Sequence, residues 1–486
     1  MESSRILTLL NRYNSWWGGE NVPESLLKAE YRRRDFYFVR RKLNDDRRIV
    51  TIRGPRQVGK TTLCGQLIAW LVEQEGVPPE HVLYLTADNT QVMSDPDQVI
   101  RDTLETYEQY VLRETIDAVD RDVHVFIDEV QKIDGWASTL KYYIDTYPNI
   151  RFVVTGSVST LIKQGADETL VGRRHEQQMV PMKFVDYVGY RDIDENDRRA
   201  FYEETTKLRG ALMDALDSDD RVEFTGAAAR FYGTNESEFP RLNQRKDEYL
   251  MKGGYPGVLD DDYREAYSKL DSDLRSTVLG DMSTVFEVQK PQKVLRLLDL
   301  LAEATTGKTS VQRLADDASI DRDTVEKYLT YLDEFFLINR VRKFSGGGFN
   351  DRAQQKVYIQ DVGIYNTIRG TLAEETLGDT TAMGPILETA VCDHARRLQF
   401  YLSGRSNVDI GYRERSGEVD FVLSGREYTL PIEVKNGDST KASLGGLKRF
   451  IDSEGVELAI VVNNSGVFES EEEIVHLPAW LFLYLC

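Results

Sequence analysis

The sequence predicts an α/β fold built on a parallel sheet, on three observations. A short apolar strand, a glycine-rich loop and a helix with apolar spacing of three and four follow one another at RRIVTI, GPRQVGKTT and LCGQLIAWLVEQ, between Arg47 and Gln74. An apolar run from Val123 to Ile127 ends in Asp128 and Glu129, and another from Ile150 to Ser157 ends in two hydroxyls. Runs of these two periods in alternation give the α/β class.

At 486 residues the chain is too long for one core, and a prior of about 150 residues per unit gives roughly three domains. No run of eighteen or more apolar residues occurs, and the amino terminus MESSRILTLLNRYNSWW has neither a basic flank nor a small-residue cleavage site. The expectation is a cytoplasmic protein without a membrane partner. Cys64, Cys392 and Cys486 are scattered and the histidines isolated, which excludes a disulfide framework and a Cys/His zinc cluster. Any metal must then sit on carboxylates. Asp plus Glu number 81 against 61 Lys plus Arg, a formal charge of −20. Basic residues cluster from Tyr31 to Leu43 and from Ile338 to Phe344, and acidic runs lie at Asp192 to Asp197 and from Asp217. An acidic solvated surface, suited to a salt-rich cytoplasm, accounts for this balance and neither requires nor excludes a DNA partner.

The loop fits the pattern GxxxxGK[ST] over Gly54, Pro55, Arg56, Gln57, Val58, Gly59, Lys60, Thr61 and Thr62. Glycines stand at Gly54 and Gly59 because backbone N–H groups must wrap closely round phosphate, with a helix N-terminus behind them. In that role Lys60 reaches the β and γ phosphates of ATP and Thr61 offers its hydroxyl to Mg²⁺. Adjacent carboxylates after a buried strand divide the remaining work. Asp128 is placed to hold the hydrated Mg²⁺ and Glu129 to orient and deprotonate the attacking water. Thr155 and Ser157 are expected at the same edge, where a γ-phosphate or its water is sensed. Arg173, with Arg174 beside it, is a candidate arginine finger, in cis or from a neighbouring subunit of an oligomer. The alternative is a surface salt-bridge pair.

These segments, together with VVTGSVSTLI, LVGRR, MVPMKFVDYVGY, YLMKGGYPGV, YIQDVGIYN, GPILETAV and the closing HLPAWLFL, resemble prokaryotic AAA-type ATPases that carry a carboxy-terminal domain of long-unassigned function. The likeness covers nearly the whole chain. It implies a P-loop NTPase core of AAA type with an N-terminal helical segment over residues 1–180, a helical lid with an insertion over 181–290, a winged helix over 291–360 and a restriction-endonuclease-like α/β domain over 361–486. Arg191 to Arg245 matches no pattern and is taken as an elaboration of the lid.

The residues of the middle segment give three helices, VLRLLDLLAEA, SVQRLADDA and DTVEKYLTYLDEFF, then strands VRKF and KVYIQ flanking GGGFND. That order is a helix-turn-helix followed by a hairpin wing. Val325, Leu329, Leu332 and Phe336 form its core face. The third helix carries Asp321, Asp323, Glu326, Asp333 and Glu334 against Arg322 and Lys327, a poor surface for phosphates. Arg340, Arg342, Lys343, Arg352 and Lys356 concentrate on the wing, so any DNA contact is expected to be led by the wing. Packing or protein contact is the competing use.

In the tail, a helix is expected to begin near Pro385 with Glu388 in its first turn. VDIGYRERSGEVDFVLSG and YTLPIEVKNGD give strands bearing Asp420, and Glu433 with Lys435. The last two are two residues apart and share a face. Acids and a lysine converging beside a helical glutamate make a hard oxygen site for Mg²⁺, with an ammonium to position water. The pattern is similar to the D…ExK signature of restriction-like nucleases. That resemblance implies Glu388, Asp420 and Glu433 as metal ligands and Lys435 as the residue that assists the nucleophile. It equally allows a degenerate tail that serves as a binding scaffold.

The expected function is an Mg²⁺-dependent ATPase whose hydrolysis drives or switches a C-terminal module acting on nucleic acid, in one form a DNA endonuclease. The alternatives are a regulatory ATPase whose inactive tail and winged helix bind a protein partner, and an ATP-dependent transcriptional regulator.

Overall fold

The computed structural model describes residues 2–486 except 47, 89–97, 157–168, 219, 346–347, 351–352, 404–407, 415–416 and 438–443. Contacts divide the chain into two compact units, Met1–Val180 and Pro181–Cys486. Among the described residues no helix is long and apolar enough to cross a membrane.

The first unit is a parallel sheet of β1 (Ile49–Arg53), β2 (Val82–Thr86), β3 (Val123–Asp128), β4 (Ile150–Gly156) and β5 (Arg174–Gln178), in the order β2-β3-β4-β1-β5. The strands read as near-continuous apolar runs because both faces are covered. Leu104, Trp136 and Leu140 pack on one face, and Phe36, Leu67 and Trp70 on the other. Because β4 separates β1 from β3, the ends of three strands meet at one edge. The helix after the first loop starts at Lys60, three residues before the periodicity suggested. Gly59, at φ 99°, turns the chain straight into it.

The second unit holds β6 (Lys308–Thr309), β7 (Ile338–Ser345), β8 (Gly348–Asn350), β9 (Gln355–Ile359), β10 (Asp409–Arg413), β11 (Val419–Ser424), β12 (Thr429–Lys435), β13 (Ala459–Asn463), β14 (Glu469–Glu471) and β15 (Ile474–Pro478). Their order is β14-β15-β13-β12-β11-β10-β7-β9-β6, with β8 paired to β7. β10 joins β7 in parallel, Gly411 opposite Arg342, so the sheet runs unbroken past the expected boundary between residues 360 and 361. Gly411 permits that approach, since a Cβ there would stand 2.6 Å from the Phe349 ring and 2.7 Å from the Arg342 carbonyl. The stretch from Arg191 to Arg245, which matched no pattern, lies mostly in helices Glu195–Ser218, Arg221–Thr234 and Phe239–Lys252. They pack in this second unit, where Tyr232 stacks on Trp480 and Phe239 tilts against the same ring.

The tail helix spans Thr380–Leu402, with Pro385 inside it. Its start is set by the Asp379 carboxylate, which accepts from Thr381 N and Ala382 N, rather than by the proline. Glu388 therefore stands in the third turn, not the first.

Asp361 ties three segments together. Its carboxylate accepts from Gly363 N at 2.9 Å, Ile364 N at 3.2 Å and Gly254 N at 2.8 Å. Gly254 lies so close to Met182 that a Cβ would fall 1.9 Å from its carbonyl oxygen. Burial pushes the Asp361 carboxyl up to about 6, against those backbone bonds. Its folded value thus exceeds its unfolded one, so its contribution to stability is present at low pH and is lost as pH rises through about 6. Asp361→Ala is expected to cost about 2–3 kcal/mol, seen as a lowered Tm of the full chain. Asp361→Asn is expected to flatten the fall in stability over that pH range, measured by denaturant titration at successive pH values.

Candidate functional site

The loop after β1 closes on itself through its lysine. Lys60 Nζ, buried, donates to the carbonyls of Gly54 at 3.0 Å and Pro55 at 2.9 Å. Its charge thus lies inside the loop, where an anion would exchange for those two acceptors. Gly54 is required for packing, because a Cβ would lie 1.9 Å from the Met179 carbonyl oxygen. Gln57 takes a left-handed conformation at φ 59° in the same turn. Arg33 supports the loop from below, donating to Val58 O at 3.0 Å and Val180 O at 2.7 Å. Within the basic run from Tyr31 to Leu43, only this tertiary contact distinguishes Arg33 from its neighbours.

Asp128 is the hub of the strand edge. Its Oδ2 accepts from the Thr61 hydroxyl at 2.7 Å and from the Tyr84 hydroxyl at 3.0 Å, and its Oδ1 accepts from the Thr155 hydroxyl. Thr155 also accepts from Glu129 N at 3.1 Å, which fixes the backbone from which Glu129 projects. Glu129 adopts φ 55°, and its carboxylate accepts from Gln131 Nε2. Gly54, Lys60, Thr61, Asp128, Glu129 and Thr155 are therefore brought together as expected, while Ser157 lies outside the described residues. Burial, then the Asp128 charge, pushes the Tyr84 phenol far up, so it keeps the proton it donates to Asp128. Tyr84 and Gln131 were missed because neither belongs to a motif. The signal available was, for Gln131, its position just beyond the end of β3; Tyr84, in the middle of β2, is placed by the pairing of β2 with β3. The donor set fits Mg²⁺, since a hydroxyl and a buried carboxylate 2.7 Å apart stand next to the phosphate loop.

Arg173 is not part of this cluster. Ile49 at the start of β1 lies opposite Arg174, whereas Gly54 follows its end. In a parallel sheet that separates Arg173 from the loop by the strand's length, roughly 15 Å. It pairs instead with Asp145, at 3.0 Å. The expectation of a finger acting in cis is corrected accordingly.

The second cluster lies on β11 and β12. Phe421 pairs with Ile432, which sets Asp420 opposite Glu433 on one face of the sheet. Asp420 N donates to Glu433 Oε2 at 3.4 Å, Val434 N donates to Asp420 Oδ2 at 2.9 Å, and Lys435 Nζ bonds Glu433 at 2.6 Å. Glu388 accepts from the Tyr358 hydroxyl at 2.6 Å. Lys356 of β9, assigned above to a DNA-contacting wing, is buried here instead. Its Nζ lies 2.7 Å from Glu418, 3.6 Å from Glu388 and 3.8 Å from Asp420. Burial, then the charge of Asp420, raises the Glu388 carboxyl to about 8, and the same two causes raise Glu433 to about 7. Burial works against the Lys356 ammonium, but Asp420, Glu388 and Glu418 outweigh it and hold it charged. Four carboxyl groups are oxygen donors of the kind a divalent ion takes. As they stand, however, no three acidic, His or Cys side chains among the described residues are grouped to hold one. The acids surround Lys356 instead.

The remaining wing bases are also partnered. Arg340 bonds Glu326 at 3.3 Å, Arg342 bonds Asp409 at 2.7 Å and Lys343 bonds Glu414 at 2.9 Å, while Arg352 lies outside the described residues. β10 beside β7 supplies Asp409, and the residue just after it, Glu414. The expected basic wing face is thus paired with acids from the third helix and from β10 and its end. On the third helix, Asp321 serves as the N-cap, accepting from Thr324 N at 2.8 Å.

Comparison with known proteins matches residues 46–188 to an AAA domain, 243–375 to a domain of unknown function (DUF8612) and 383–482 to another (DUF4143). The chain is 24% identical over 473 residues to the uncharacterized protein MJ1637 of Methanocaldococcus jannaschii, covering 95% of this chain and 91% of that one. It is 22% identical to an uncharacterized protein of Haemophilus influenzae, covering 79% and 82%. Among solved structures it is similar to the Walker-type ATPase PABY2304 of Pyrococcus abyssi, with TM-score 0.42 and 14% identity over 70% of this chain and 96% of that one. It also matches the Aeropyrum pernix Orc1 protein in complex with DNA, at TM-score 0.28 and 14% identity over 71% and 93%. The first unit contains an AAA-type P-loop ATPase domain.

Thr155→Val removes the hydroxyl that joins Asp128 to the Glu129 backbone. It is expected to lower ATP turnover about 10–100-fold while leaving nucleotide affinity nearly unchanged, checked by phosphate release against fluorescent-nucleotide titration. Arg173→Ala is expected to leave turnover of dilute protein within about twofold, as for any exposed ion pair outside the site.

Proposed function

We propose that this protein is an Mg²⁺-dependent ATP phosphohydrolase whose nucleotide state switches a C-terminal module of nuclease type that acts on nucleic acid. The observation that carries the ATPase half is the shared hydrogen-bond set of Thr61, Tyr84, Thr155 and Asp128 beside the phosphate loop. In this reading the loop amides and Lys60 bind the phosphates, and Thr61 and Asp128 hold Mg²⁺, which neutralises charge on the phosphate oxygens when bound. Glu129 orients a water whose oxygen bonds to the γ-phosphorus as the bond to the bridging oxygen breaks, and it accepts the water's proton. Thr155 couples that base to Asp128, so a change in what Asp128 holds reaches the Glu129 backbone. Support for the nuclease half comes from Asp420 lying opposite Glu433, to which Lys435 bonds, with burial pushing up the carboxyls of Glu388, Asp420 and Glu433 and the Asp420 charge adding to it at Glu388 and Glu433.

Wild-type protein is expected to release phosphate from ATP only with Mg²⁺. Lys60→Ala should abolish nucleotide binding, whereas Glu129→Gln should retain it and lose about 10²–10⁴-fold in turnover. Equal turnover in wild type and Glu129→Gln would sink the assignment of the base. For the tail, cleavage of plasmid and linear DNA is measured with ATP for wild type, Lys60→Ala and Lys435→Ala. Loss of cutting in both variants is expected, and wild type that cuts nothing over a range of metals and substrates removes the nuclease half.

A second reading is a regulatory ATPase whose tail binds a protein partner. It is favoured by the pairing of Arg340, Arg342 and Lys343 with acids, which leaves those bases ill suited to DNA phosphates. A stoichiometric partner that survives nuclease treatment and high salt would favour it.

A further inference from the structure

We infer that Lys356 occupies the cation position of the C-terminal acid cluster, so that its ammonium and a divalent metal ion compete for the same carboxylates. The inference rests on the reading of that cluster as a nuclease-type metal site, and it adds a residue from outside the tail segment, on β9.

Three facts carry it. Lys356 is only 1% exposed, and its Nζ faces three carboxylates: Glu388 of the long helix, Glu418 just before β11, and Asp420 of β11. Its separations from them, 2.7 to 3.8 Å, are those of an ammonium. A Mg²⁺ ion needs oxygens at about 2.0–2.1 Å, so the same acids would have to close in on a point that Nζ now holds. The surroundings are built for this charge. The Tyr412 ring lies 5.6 Å from Nζ, and Tyr358, two residues along β9, holds Glu388 in place through its hydroxyl. Lys435, by contrast, pairs with Glu433 alone among the described residues and is more exposed, at 25% for its side chain. The two lysines are therefore not equivalent: Lys435 sits at the rim and Lys356 at the centre. Lys435 at the rim leaves those oxygens open, whereas Lys356 Nζ and a metal ion would need the same oxygens of Glu388 and Asp420, which makes the two occupancies exclusive.

The competition is read by Mn²⁺ binding, counted from the electron paramagnetic resonance of the free ion, on full-length nucleotide-free protein. Asp420→Asn in each background isolates the tail site from the phosphate loop. Lys356→Met, which keeps the shape of the side chain and removes its charge, is expected to bind Mn²⁺ at least about tenfold more tightly than wild type in the Asp420-dependent phase. Lys356→Arg, which keeps the charge, is expected to bind as weakly as wild type. If wild type shows Asp420-dependent binding as tight as that of Lys356→Met, the competition is refuted while the metal reading stands. If neither protein shows an Asp420-dependent phase, both are refuted. Lys356→Met leaves buried acids unpaired and is expected to melt at lower temperature than wild type, with Mn²⁺ restoring more of its stability than Mn²⁺ adds to wild type. Should that variant fail to fold without metal, circular dichroism after refolding with Mn²⁺ decides the matter. Recovery supports the inference, and an unfolded chain under both conditions overturns it.

Discussion

A charge taken out of water must be surrounded by partners, at a penalty of several kcal/mol per ion otherwise, and this requirement shapes both units. In the first, Lys60 turns back onto the carbonyls of its own loop and Asp128 accepts from three hydroxyls. In the second, Lys356 is held by three acids and Asp361 by three backbone amides. Asp128, Lys356 and Asp361 each join segments that are distant in the chain. The same residues that make chemistry available are those that hold strands and helices in register.

That coupling explains why chemistry gathers at sheet edges and faces. In the five-stranded sheet, β4 between β1 and β3 brings Thr155 to Asp128 and to the Glu129 backbone, so one hydroxyl reports on both acids. In the larger sheet, the antiparallel register of β11 and β12 sets Asp420 against Glu433, and β9 delivers Lys356 from a segment that local pattern alone would assign to a separate module. Through β7 and β10 the sheet continues past residues 360 and 361. It also draws Arg342 and Lys343 into pairs with Asp409 and Glu414. Bases expected to face a partner are thereby paired with acids of the same sheet and its margin.

Motifs whose function depends on consecutive residues were legible before any folding. GPRQVGKTT carries its geometry in its glycines, and the apolar strand before Asp128 and Glu129 announces an edge. Expectations failed where a residue's role depends on something non-local. Arg173 follows a glycine and looks free to reach a phosphate, yet the parallel register puts it at the far edge beside Asp145. Pro385 reads as a helix start, yet the Asp379 cap begins the helix earlier and moves Glu388 inward. Lys356 is one more base in a basic stretch until β11 is laid nearby.

By itself the sequence determined the phosphate loop, its lysine and threonine, the paired acids of β3, and the alternation of strand and helix. Short-range backbone geometry and hydrophobic period specify those features within a few residues. Tertiary structure alone decided which charges share a low-dielectric interior. Tyr84 on Asp128, Arg33 beneath the loop and Lys356 among Glu388, Glu418 and Asp420 depend on strand order and register across intervals of tens of residues. No local pattern encodes those intervals, because desolvation and Coulomb energy depend on distance in space and not on separation along the chain.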